Sequence, residues 1–486
     1  MACTTILVGK NASYDGSTMI ARNDDNPNGK FAVKKMIKVT KDMQPRVYKS
    51  VIGHLEINLP DDPVEYSAFP NVDSSKEGLW LAQGINEYNV GMSATETITT
   101  NPRVLGADPY VEYQEAIDGH EEIPGGLGEE DFVLVTLPYI KSAREGVKRL
   151  GALLEKYGTY ESNGIAFNDK DEVWFLETIG GHHWMARRVP DDMYVSMPNQ
   201  LGIDYFDFND AFGEQKDFMC SKDLVDFMNE FHLNLNQNGV INPRLIFGSY
   251  DDSDHVYNTP RAWFMERYFN PSLGFDGPMA KYNPESNDIP WCLVPEHKIT
   301  VEDVKYILSS HYQGTEYDPY SRVGSPSDKK YRVIGINRTS ILSLCQIRGY
   351  ERKELQGVLW FTFASNPFNA FTAFVTSGHN VSDYYKEVGL NPDTNNFYWA
   401  NRIISALADA HFASNAIHIE RYQDKLHATC HRLLNKLSKE YKSIEDIERI
   451  NLEIAEACKL ETDKVLANVL YTSSMEMKNA FKRSDN

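Results

Sequence analysis

The amino-acid sequence predicts an α+β protein in which β-sheets are covered by helices. Strand and turn patterns fill most of residues 1–130, strands recur over 163–200 and 341–375, and helical stretches lie between these groups. From Phe397 onward the pattern is almost entirely helical. This order is compatible with a four-layer αββα sandwich carrying a helical C-terminal extension, although the pattern alone fits other α+β folds equally well.

The first predicted element is a β-hairpin at the amino terminus. Residues 3–9 and 18–21 read as two strands, and the Asp15-Gly16 pair between them is a strong turn signal. The second strand runs into Arg22 and ends at the acidic pair before Asn26. A tight hairpin therefore brings Arg22 back beside Cys3, the residue that opens the first strand.

The later elements follow from periodicity and turn residues. A helix is predicted where Ala143, Val147, Leu150 and Leu154 recur at three- and four-residue intervals, with Gly158 as its stop. Alternating or apolar runs bounded by turn residues predict strands. These strands cover residues 78–84, 90–97, 165–167, 173–177, 184–188, 194–197, 341–345 and 358–375.

The composition excludes several classes of function. A formal net charge of −20 repels phosphate backbones and anionic lipid, so we expect neither nucleic acid nor a membrane as a partner. The sequence shows no secretory signal and no apolar run long enough to span a bilayer, which favours a cytoplasmic location. The six cysteines are scattered without a CxxC pair, so reduced thiols are expected rather than a disulfide framework or a zinc site.

Cys3 is the leading candidate for chemistry. A cysteine on a strand is often only a small buried residue. A terminal strand with two residues ahead of the thiol and an arginine nearby instead favours a nucleophile, because Arg22 stays charged and stabilises a thiolate. For Arg22 and Asp25 a surface ion pair at the turn is the ordinary alternative.

Two further residues are candidates for the same site. Asn199 follows a proline at a predicted strand end and is either a turn residue or a side-chain donor to an oxyanion. Arg261 lies at a predicted helix start and is either a surface cation or a partner of a carboxylate or thiolate in the site.

No metal site is predicted. Residues 24–29 imitate the start of a calcium loop, but position twelve of that loop is Lys35 where a glutamate is needed. His182 and His183 are adjacent, and neighbours on a strand point to opposite faces, so both do not easily bind one ion. We therefore expect no metal and no other cofactor.

Motifs in two regions resemble those of the bacterial dipeptidase A family, also called the C69 cysteine dipeptidases. They are Cys-Thr-Thr-Ile at 3–6, Asp-Gly-Ser at 15–17 and Ala-Arg-Asn-Asp-Asp at 21–25, together with Glu-Thr-Ile-Gly-Gly-His-His-Trp at 177–184 and Arg-Val-Pro-Asp-Asp at 188–192. The likeness covers most of the chain and is strongest over residues 3–29, 77–98, 163–200 and 255–270.

The resemblance implies an N-terminal nucleophile hydrolase, with penicillin V acylases and bile salt hydrolases as relatives. It implies an αββα domain over residues 1–395, a helical region over 396–486 packed on it, and removal of Met1 and Ala2. Cys3 then matches the nucleophile, Arg22 and Asp25 the active-site arginine and aspartate, Asn199 the oxyanion-hole asparagine, and Arg261 the later arginine. Relatives often carry an asparagine where this chain has Thr95 and Glu96, which leaves the second oxyanion donor open.

The implied function is hydrolysis of dipeptides and other short peptides through the Cys3 thiolate, with the freed α-amino group as general base. Two alternatives remain open: an acyl-amide hydrolase of the penicillin V acylase or bile salt hydrolase type, and a non-catalytic binding protein whose amino terminus is never processed. A homo-oligomer is compatible with the acidic helical tail, as is a solvated helical cover.

Overall fold

The computed structural model describes residues 3–117 and 119–478. The predicted removal of Met1 and Ala2 and the side chain of Thr95 lie outside the described part. The strands, in chain order, are β1 (Thr4–Val8), β2 (Thr18–Asp25), β3 (Ile37–Val39), β4 (Val47–Lys49), β5 (Glu56–Asn58), β6 (Tyr66–Ala68), β7 (Gln83–Asn86), β8 (Gly91–Thr97), β9 (Asn163–Asn168), β10 (Val173–Ile179), β11 (His183–Arg188), β12 (Tyr194–Met197), β13 (Phe218–Cys220), β14 (Cys292–Leu293), β15 (Thr339–Ile347), β16 (Gly357–Phe363) and β17 (Thr372–Val375).

The helices fall into short connecting segments and longer packed ones. In chain order they are α1 (Pro102–Ala107), α2 (Glu129–Thr136), α3 (Ala143–Tyr157), α4 (Phe208–Phe212), α5 (Leu224–Glu230), α6 (Pro243–Phe247), α7 (Asp252–Tyr257), α8 (Thr259–Phe269), α9 (Val301–Leu308), α10 (Asp383–Lys386), α11 (Phe397–Asp409), α12 (Phe412–Glu440) and α13 (Ile444–Met475).

Two antiparallel sheets form the centre of the molecule. The first sheet has the order β14-β12-β1-β2-β15-β16-β17, and the second has the order β13-β11-β10-β9-β8-β7-β6-β3. Hydrogen bonds join the sheets across their facing surfaces: the Gln83 amide donates to the carbonyl of Ile20 (2.9 Å) and accepts from the Ser343 hydroxyl (2.6 Å). The remaining facing side chains are mostly apolar and buried, so the two sheets enclose a common core.

Helices cover both outer faces, which completes the four layers expected from the sequence. On the second sheet, α3 buries its apolar stripe of Val147, Leu150 and Leu154 against β9, β10 and β11. On the first sheet, α9 packs on β1 and β2, while α11 and α13 pack on β16 and β17. The α+β fold class and the helical C-terminal region are thereby confirmed.

The strands depart from the expected ones at several places. The predicted strand over residues 358–375 is two strands, β16 and β17, and β3 to β6, β13 and β14 had no predicted counterpart. A further departure lies near the site. The predicted strand over residues 78–84 is extended only from Gln83, because Gly78 (φ 73°) and Trp80 (φ 44°) adopt left-handed backbone conformations. The Trp80 carbonyl is thereby directed at a buried cation, Lys34, whose Nζ donates to it at 2.7 Å. The departure from strand geometry thus serves a polar contact beside the candidate site.

Candidate active site

Cys3 immediately precedes β1, which lies between β2 and β12 in the first sheet. β1 and β2 are joined by residues 9–17 rather than by a tight turn at Asp15-Gly16, and they pair in a register in which Val8 is opposite Met19 and Thr5 is opposite Arg22. Side chains two apart on a strand share a face, so Cys3, Thr5 and Arg22 all point toward the second sheet. Cys3 is fully buried.

A buried charge cluster surrounds the sulfur. Sγ of Cys3 and one carboxylate oxygen each of Asp24 and Glu129 lie within 4.8 Å of one another. Nη2 of Arg22 bridges the two carboxylates, at 3.0 Å from Asp24 Oδ1 and 3.2 Å from Glu129 Oε1. Lys34 adds a second cation, with Nζ 3.1 Å from Asp24 Oδ2. All five side chains are buried, so these charges act on one another with little screening by water.

Burial raises the pKa of the Cys3 thiol well above its usual value. The charge of Arg22 opposes this rise, while the charges of Glu129, Glu96 and Asp24 add to it. The resting group is therefore a thiol, and attack by sulfur needs a base that takes its proton. The positive charge of Arg22 lowers the cost of the thiolate that this transfer creates.

Glu96 on β8 reaches the same space from the second sheet. Its Oε2 accepts a hydrogen bond from the Thr5 hydroxyl at 2.8 Å, across the gap between the sheets. Burial raises the pKa of Glu96 to about 8, against the lowering effect of the Arg261 charge, the Thr5 hydrogen bond and the Arg22 charge. Glu96 therefore carries a proton at neutral pH, and its charge adds to the raised pKa of the Cys3 thiol only where the pH is high enough to ionise it.

Arg261 binds the main-chain carbonyl of Cys3. It is fully buried on α8, and each of its five N–H groups has an acceptor. The acceptors are the main-chain oxygens of Cys3 and Tyr257, Thr4 Oγ1, Asn199 Oδ1 and Asn258 Oδ1. This set of contacts favours a positioning role for Arg261 over direct capture of a substrate carboxylate.

Asn199 is connected to Cys3 through Arg261, which donates hydrogen bonds to both residues. Its Oδ1 accepts from Arg261 Nη2 at 2.7 Å, and its Nδ2 donates to the carbonyl of Thr97 at 2.8 Å. These two bonds fix the orientation of the amide, since they distinguish its oxygen from its nitrogen. The amide nitrogen therefore faces the end of β8, next to Glu96.

Asp25 is connected to the residue that follows Cys3 and is not one of the five residues of the charge cluster around the sulfur. Its Oδ1 accepts from the Thr339 hydroxyl at 2.6 Å, and its Oδ2 accepts from Arg332 Nη2 at 2.5 Å. Arg332 Nη1 in turn approaches Thr4 Oγ1 at 3.4 Å. Burial raises the pKa of Asp25, and the charge of Arg332 opposes that rise. The aspartate is thus connected to Cys3 through Arg332 and Thr4.

The Cys3 sulfur and the carboxylates of Asp24 and Glu129 are close enough together to coordinate a metal ion. However, these carboxylates already contact two side-chain cations. Arg22 contacts Asp24 and Glu129, and Lys34 contacts Asp24. Asp24 and Asp25, which begin the segment that imitates a calcium loop, are likewise paired with side-chain cations. His182 and His183 both contact the carboxylate of Asp108 through Nδ1, at 2.9 and 2.7 Å. These residues fix a turn.

A cavity of about 630 Å³ opens next to the charge cluster. Two of its lining residues bond directly to the cluster: the Trp80 carbonyl to Lys34, and Glu161 Oε1 to the main-chain N–H of Glu129 at 3.0 Å. The volume falls within the range of small-molecule sites. The cavity thus adjoins the cluster through Trp80 and Glu161, while the five cluster residues themselves are not among its lining residues.

The structure brings four of the five candidate residues together and connects the fifth through intermediates. Arg22 is in the charge cluster with Cys3, Arg261 contacts both Cys3 and Asn199, and Asp25 is connected through Arg332. Sequence reasoning missed Lys34, Glu129 and Arg332. A readable signal existed for Glu129, since three consecutive acids follow Gly128 at a helix start.

The chain was compared with known families, curated proteins and solved structures. The model of Peptidase family C69 matches residues 2–425. A protein named Dipeptidase from Bifidobacterium longum is 51% identical, with 100% of both chains covered. Probable dipeptidase A from Streptococcus pyogenes is 49% identical with 100% of both covered, and Dipeptidase A from Lactobacillus helveticus is 42% identical with 98% of this chain and 95% of that one covered. A conjugated bile acid hydrolase structure from Clostridium perfringens aligns over 77% of this chain and 92% of its own, at 12% identity and a TM-score of 0.31.

Proposed function

We propose, from the premise that the chain belongs to peptidase family C69, that it is a dipeptidase whose nucleophile is the Cys3 thiol. The observation that carries this proposal is the position of Cys3: a buried sulfur at the start of a central strand, beside the Arg22 guanidinium and with its carbonyl held by Arg261. The relatives named dipeptidases, which are 42–51% identical over nearly their whole length, support the substrate class.

The base is the α-amino group of Cys3, which becomes available when Met1 and Ala2 are removed. The raised pKa of the thiol means that sulfur needs a proton acceptor at the moment of attack. An α-amino group has an unperturbed pKa of about 7.7–8.0, which suits proton transfer at neutral pH. It belongs to the same residue as the thiol, so the proton moves over a short and fixed distance.

The reaction then proceeds in two halves. Sγ attacks the carbonyl carbon of the peptide bond while the amine takes the thiol proton, and the Asn199 amide donates to the resulting oxyanion. The C–N bond breaks as the amine returns its proton to the leaving amino group, which releases the second amino acid. Water attacks the remaining thioester and gives one proton to the amine, and the C–S bond breaks to release the first amino acid as its carboxylic acid. The amine then returns the proton to Sγ, which restores the thiol.

Arg261 and Asp25 contribute by position rather than by contact with the substrate. Arg261 fixes the carbonyl of Cys3 and the amide of Asn199 relative to each other, so nucleophile and oxyanion donor keep one geometry. Asp25, through Arg332 and Thr4, holds the main chain from which the α-amino group projects. Both roles are proposed on these contacts.

We further propose that residues 1–395 form the catalytic domain and residues 396–486 a helical cover on the first sheet. Tyr398 on α11 donates to the carbonyl of Ala32 at 2.8 Å, and Arg402 donates to the carbonyl of Asn337 at 2.7 Å, which ties the cover to segments next to β2 and β15. Removal of the cover would expose the buried strands β16 and β17, on which α11 and α13 pack.

The proposed partner is a dipeptide or short peptide, and the proposed location is the cytoplasm. All six cysteines are free thiols, as expected for a protein in a reducing compartment. None of the helices among the described residues combines the length and hydropathy needed to cross a bilayer.

The proposal is tested with Cys3→Ala against a matched cysteine variant. Cys220→Ala removes another buried thiol, one on an edge strand away from the cluster. We expect Cys3→Ala to abolish dipeptide hydrolysis with an unchanged circular dichroism spectrum, and Cys220→Ala to retain it. A panel with dipeptides, penicillin V and a conjugated bile acid should show turnover of dipeptides. Activity in Cys3→Ala, or turnover of the acyl amides alone, would refute the assignment.

A further inference from the structure

A second cavity lies on the outer side of the first sheet, away from Cys3. Its volume is about 500 Å³, within the range of small-molecule sites, and it lies between α9 and α12. Asn23 follows Arg22 on β2 and therefore points away from the second sheet, where its amide donates to the carbonyl of Leu308 in α9 at 2.8 Å. The first sheet thus separates this cavity from the charge cluster around the sulfur.

The wall of this cavity contains a buried cation. Lys305 on α9 is 3% exposed, and its Nζ donates to Ser309 Oγ and to the carbonyl of Asn366, both at 2.9 Å. Ser309 and Pro367, the neighbour of Asn366, line the cavity together with Lys305, so the ammonium group lies at its inner wall. Both acceptors are uncharged, and no carboxylate among the described residues is within ion-pair distance of this Nζ.

A buried charge without an opposite charge is unfavourable, because burial removes its hydration. Burial accordingly lowers the pKa of Lys305 to about 7. A carboxylate bound in the cavity would supply the missing charge and accept the remaining N–H of the ammonium group.

The other charged groups near Lys305 do not supply this opposite charge. Glu302 Oε1 contacts His431 Nε2 at 2.7 Å. Asp318 Oδ1 contacts His311 Nδ1, also at 2.7 Å. His427 is uncharged at neutral pH, because burial and the nearby charge of Lys305 lower its pKa to about 4. The inner part of the cavity therefore keeps an excess of positive charge whenever Lys305 is protonated.

The mouth of the cavity has the opposite charge. Glu420 and Asp424 line it one helical turn apart on α12, both are exposed, and neither has an ion-pair partner in the part of the chain that the structure describes. Phe412 and Ile419 add apolar surface to the wall. A matching ligand is therefore a small molecule with a carboxylate at its inner end, an ammonium group at its outer end and apolar groups between them.

A short peptide has this distribution of charge, and its size fits. A sphere with the 500 Å³ of the cavity is about 10 Å across, and two residues of extended chain span at most about 7 Å. In a single amino acid the two charged groups are joined through one carbon atom, which leaves no apolar segment between them.

We propose that the cavity between α9 and α12 is a second binding site for short peptides, in which Lys305 binds the free carboxylate while Glu420 and Asp424 attract the ammonium group. None of these contacts involves Cys3, so the inference does not rest on the proposed function. The bound carboxylate would be connected to β2, because Asn366 accepts from Lys305 and its amide donates to Asn23 Oδ1 at 2.9 Å.

The test measures how fast cyanate modifies Lys305 in the full-length Cys3→Ala protein, a background chosen to prevent hydrolysis of the peptide. Isocyanic acid adds to an uncharged amine: the new bond joins Nζ to its carbon, and the proton from Nζ moves to its nitrogen. At pH 7.5 an exposed lysine with a pKa of about 10.4 is almost wholly protonated. Peptide mapping by mass spectrometry should show Lys305 modified at least about 10-fold faster than the exposed Lys439.

Protection by a peptide then identifies the ligand. A bound carboxylate keeps Lys305 protonated, so saturating leucyl-leucine should slow its modification at least about 5-fold and leave Lys439 unaffected. Leucyl-leucine amide lacks the carboxylate and should not protect. In a Glu420→Gln, Asp424→Asn double variant, half-maximal protection should need about 2- to 5-fold more peptide, as expected for exposed charge pairs.

Calorimetry with leucyl-leucine counts the bound peptides independently of the modification. Lys305→Met in the Cys3→Ala background should remove one bound peptide per chain. Lys38→Met is the matched control, since Lys38 is a partly buried lysine on β3 that also donates to an uncharged acceptor, the carbonyl of Thr376 at 2.8 Å, and it should leave the number unchanged. Modification of Lys305 no faster than that of Lys439, equal protection by the amide, or an unchanged number of bound peptides in Lys305→Met would overturn the inference.

Discussion

Replacement of Glu96 by glutamine should change how stability depends on pH. Glu96 is 1% exposed and burial raises its pKa from 4.5 to about 8. A carboxyl group whose pKa is higher in the folded than in the unfolded protein stabilises the fold fully below pH 4.5, and this contribution is lost as the pH rises to 8. Glutamine is nearly isosteric and does not ionise, so the variant has no such loss.

The magnitude follows from the pKa values. The free energy of unfolding of the wild type falls by about 1.4 kcal/mol per pH unit between the two pKa values because of this one group. Between pH 6 and pH 9 the variant should therefore gain about 3 kcal/mol relative to the wild type. For a chain of 486 residues the entropy of unfolding is about 1 kcal/mol/K, so this gain corresponds to a Tm difference that widens by about 3 °C.

The assay is thermal unfolding of wild type and Glu96→Gln by circular dichroism at pH 6, 7, 8 and 9. Glu115→Gln removes an exposed acid and should follow the wild type at every pH. The Tm of Glu96→Gln relative to wild type should rise steadily up to pH 8 and then level off. A Tm difference that stays constant across this range would show that Glu96 titrates as an exposed carboxyl group, and the description of its environment would be wrong.

Three further variants test individual contacts. Arg261→Lys keeps the charge but loses the planar set of five donors, and should lower kcat at least 10-fold with a smaller change in KM, measured by steady-state kinetics. Asn199→Ala should lower kcat by about 100- to 1000-fold, and an unchanged kcat would exclude it as the oxyanion donor. Asp25→Asn leaves the buried Arg332 without its carboxylate and should destabilise the fold by about 3–5 kcal/mol, seen as a Tm lowered by several degrees; an unchanged Tm would contradict this contact.

The opening hairpin shows what local sequence signals could establish. The Asp15-Gly16 pair correctly indicated that β1 and β2 are antiparallel neighbours, but the register that places Arg22 opposite Thr5 belongs to the longer connection over residues 9–17. Strands and long helices with strong periodicity were also predictable, because each needs only its own apolar pattern to identify the buried face.

The rest of the site could not be read from local patterns, because its residues come from distant parts of the chain. Glu129 reaches the sulfur only when α2 packs on β8, and Arg332 reaches Asp25 from a loop more than 300 positions away. Local sequence also predicted a thiolate at Cys3, whereas the pKa of this thiol depends on burial between two sheets. Such environments are set by tertiary packing.

The central claim, that the freed amine of Cys3 is the base for its own thiol, is tested most directly by intact-mass spectrometry alongside activity. Preparations that differ in the fraction of chains beginning at Cys3 are compared for specific activity toward one dipeptide. We predict activity in proportion to that fraction and none from chains that retain Met1 and Ala2. Full activity from a preparation in which every chain keeps both residues would contradict the account.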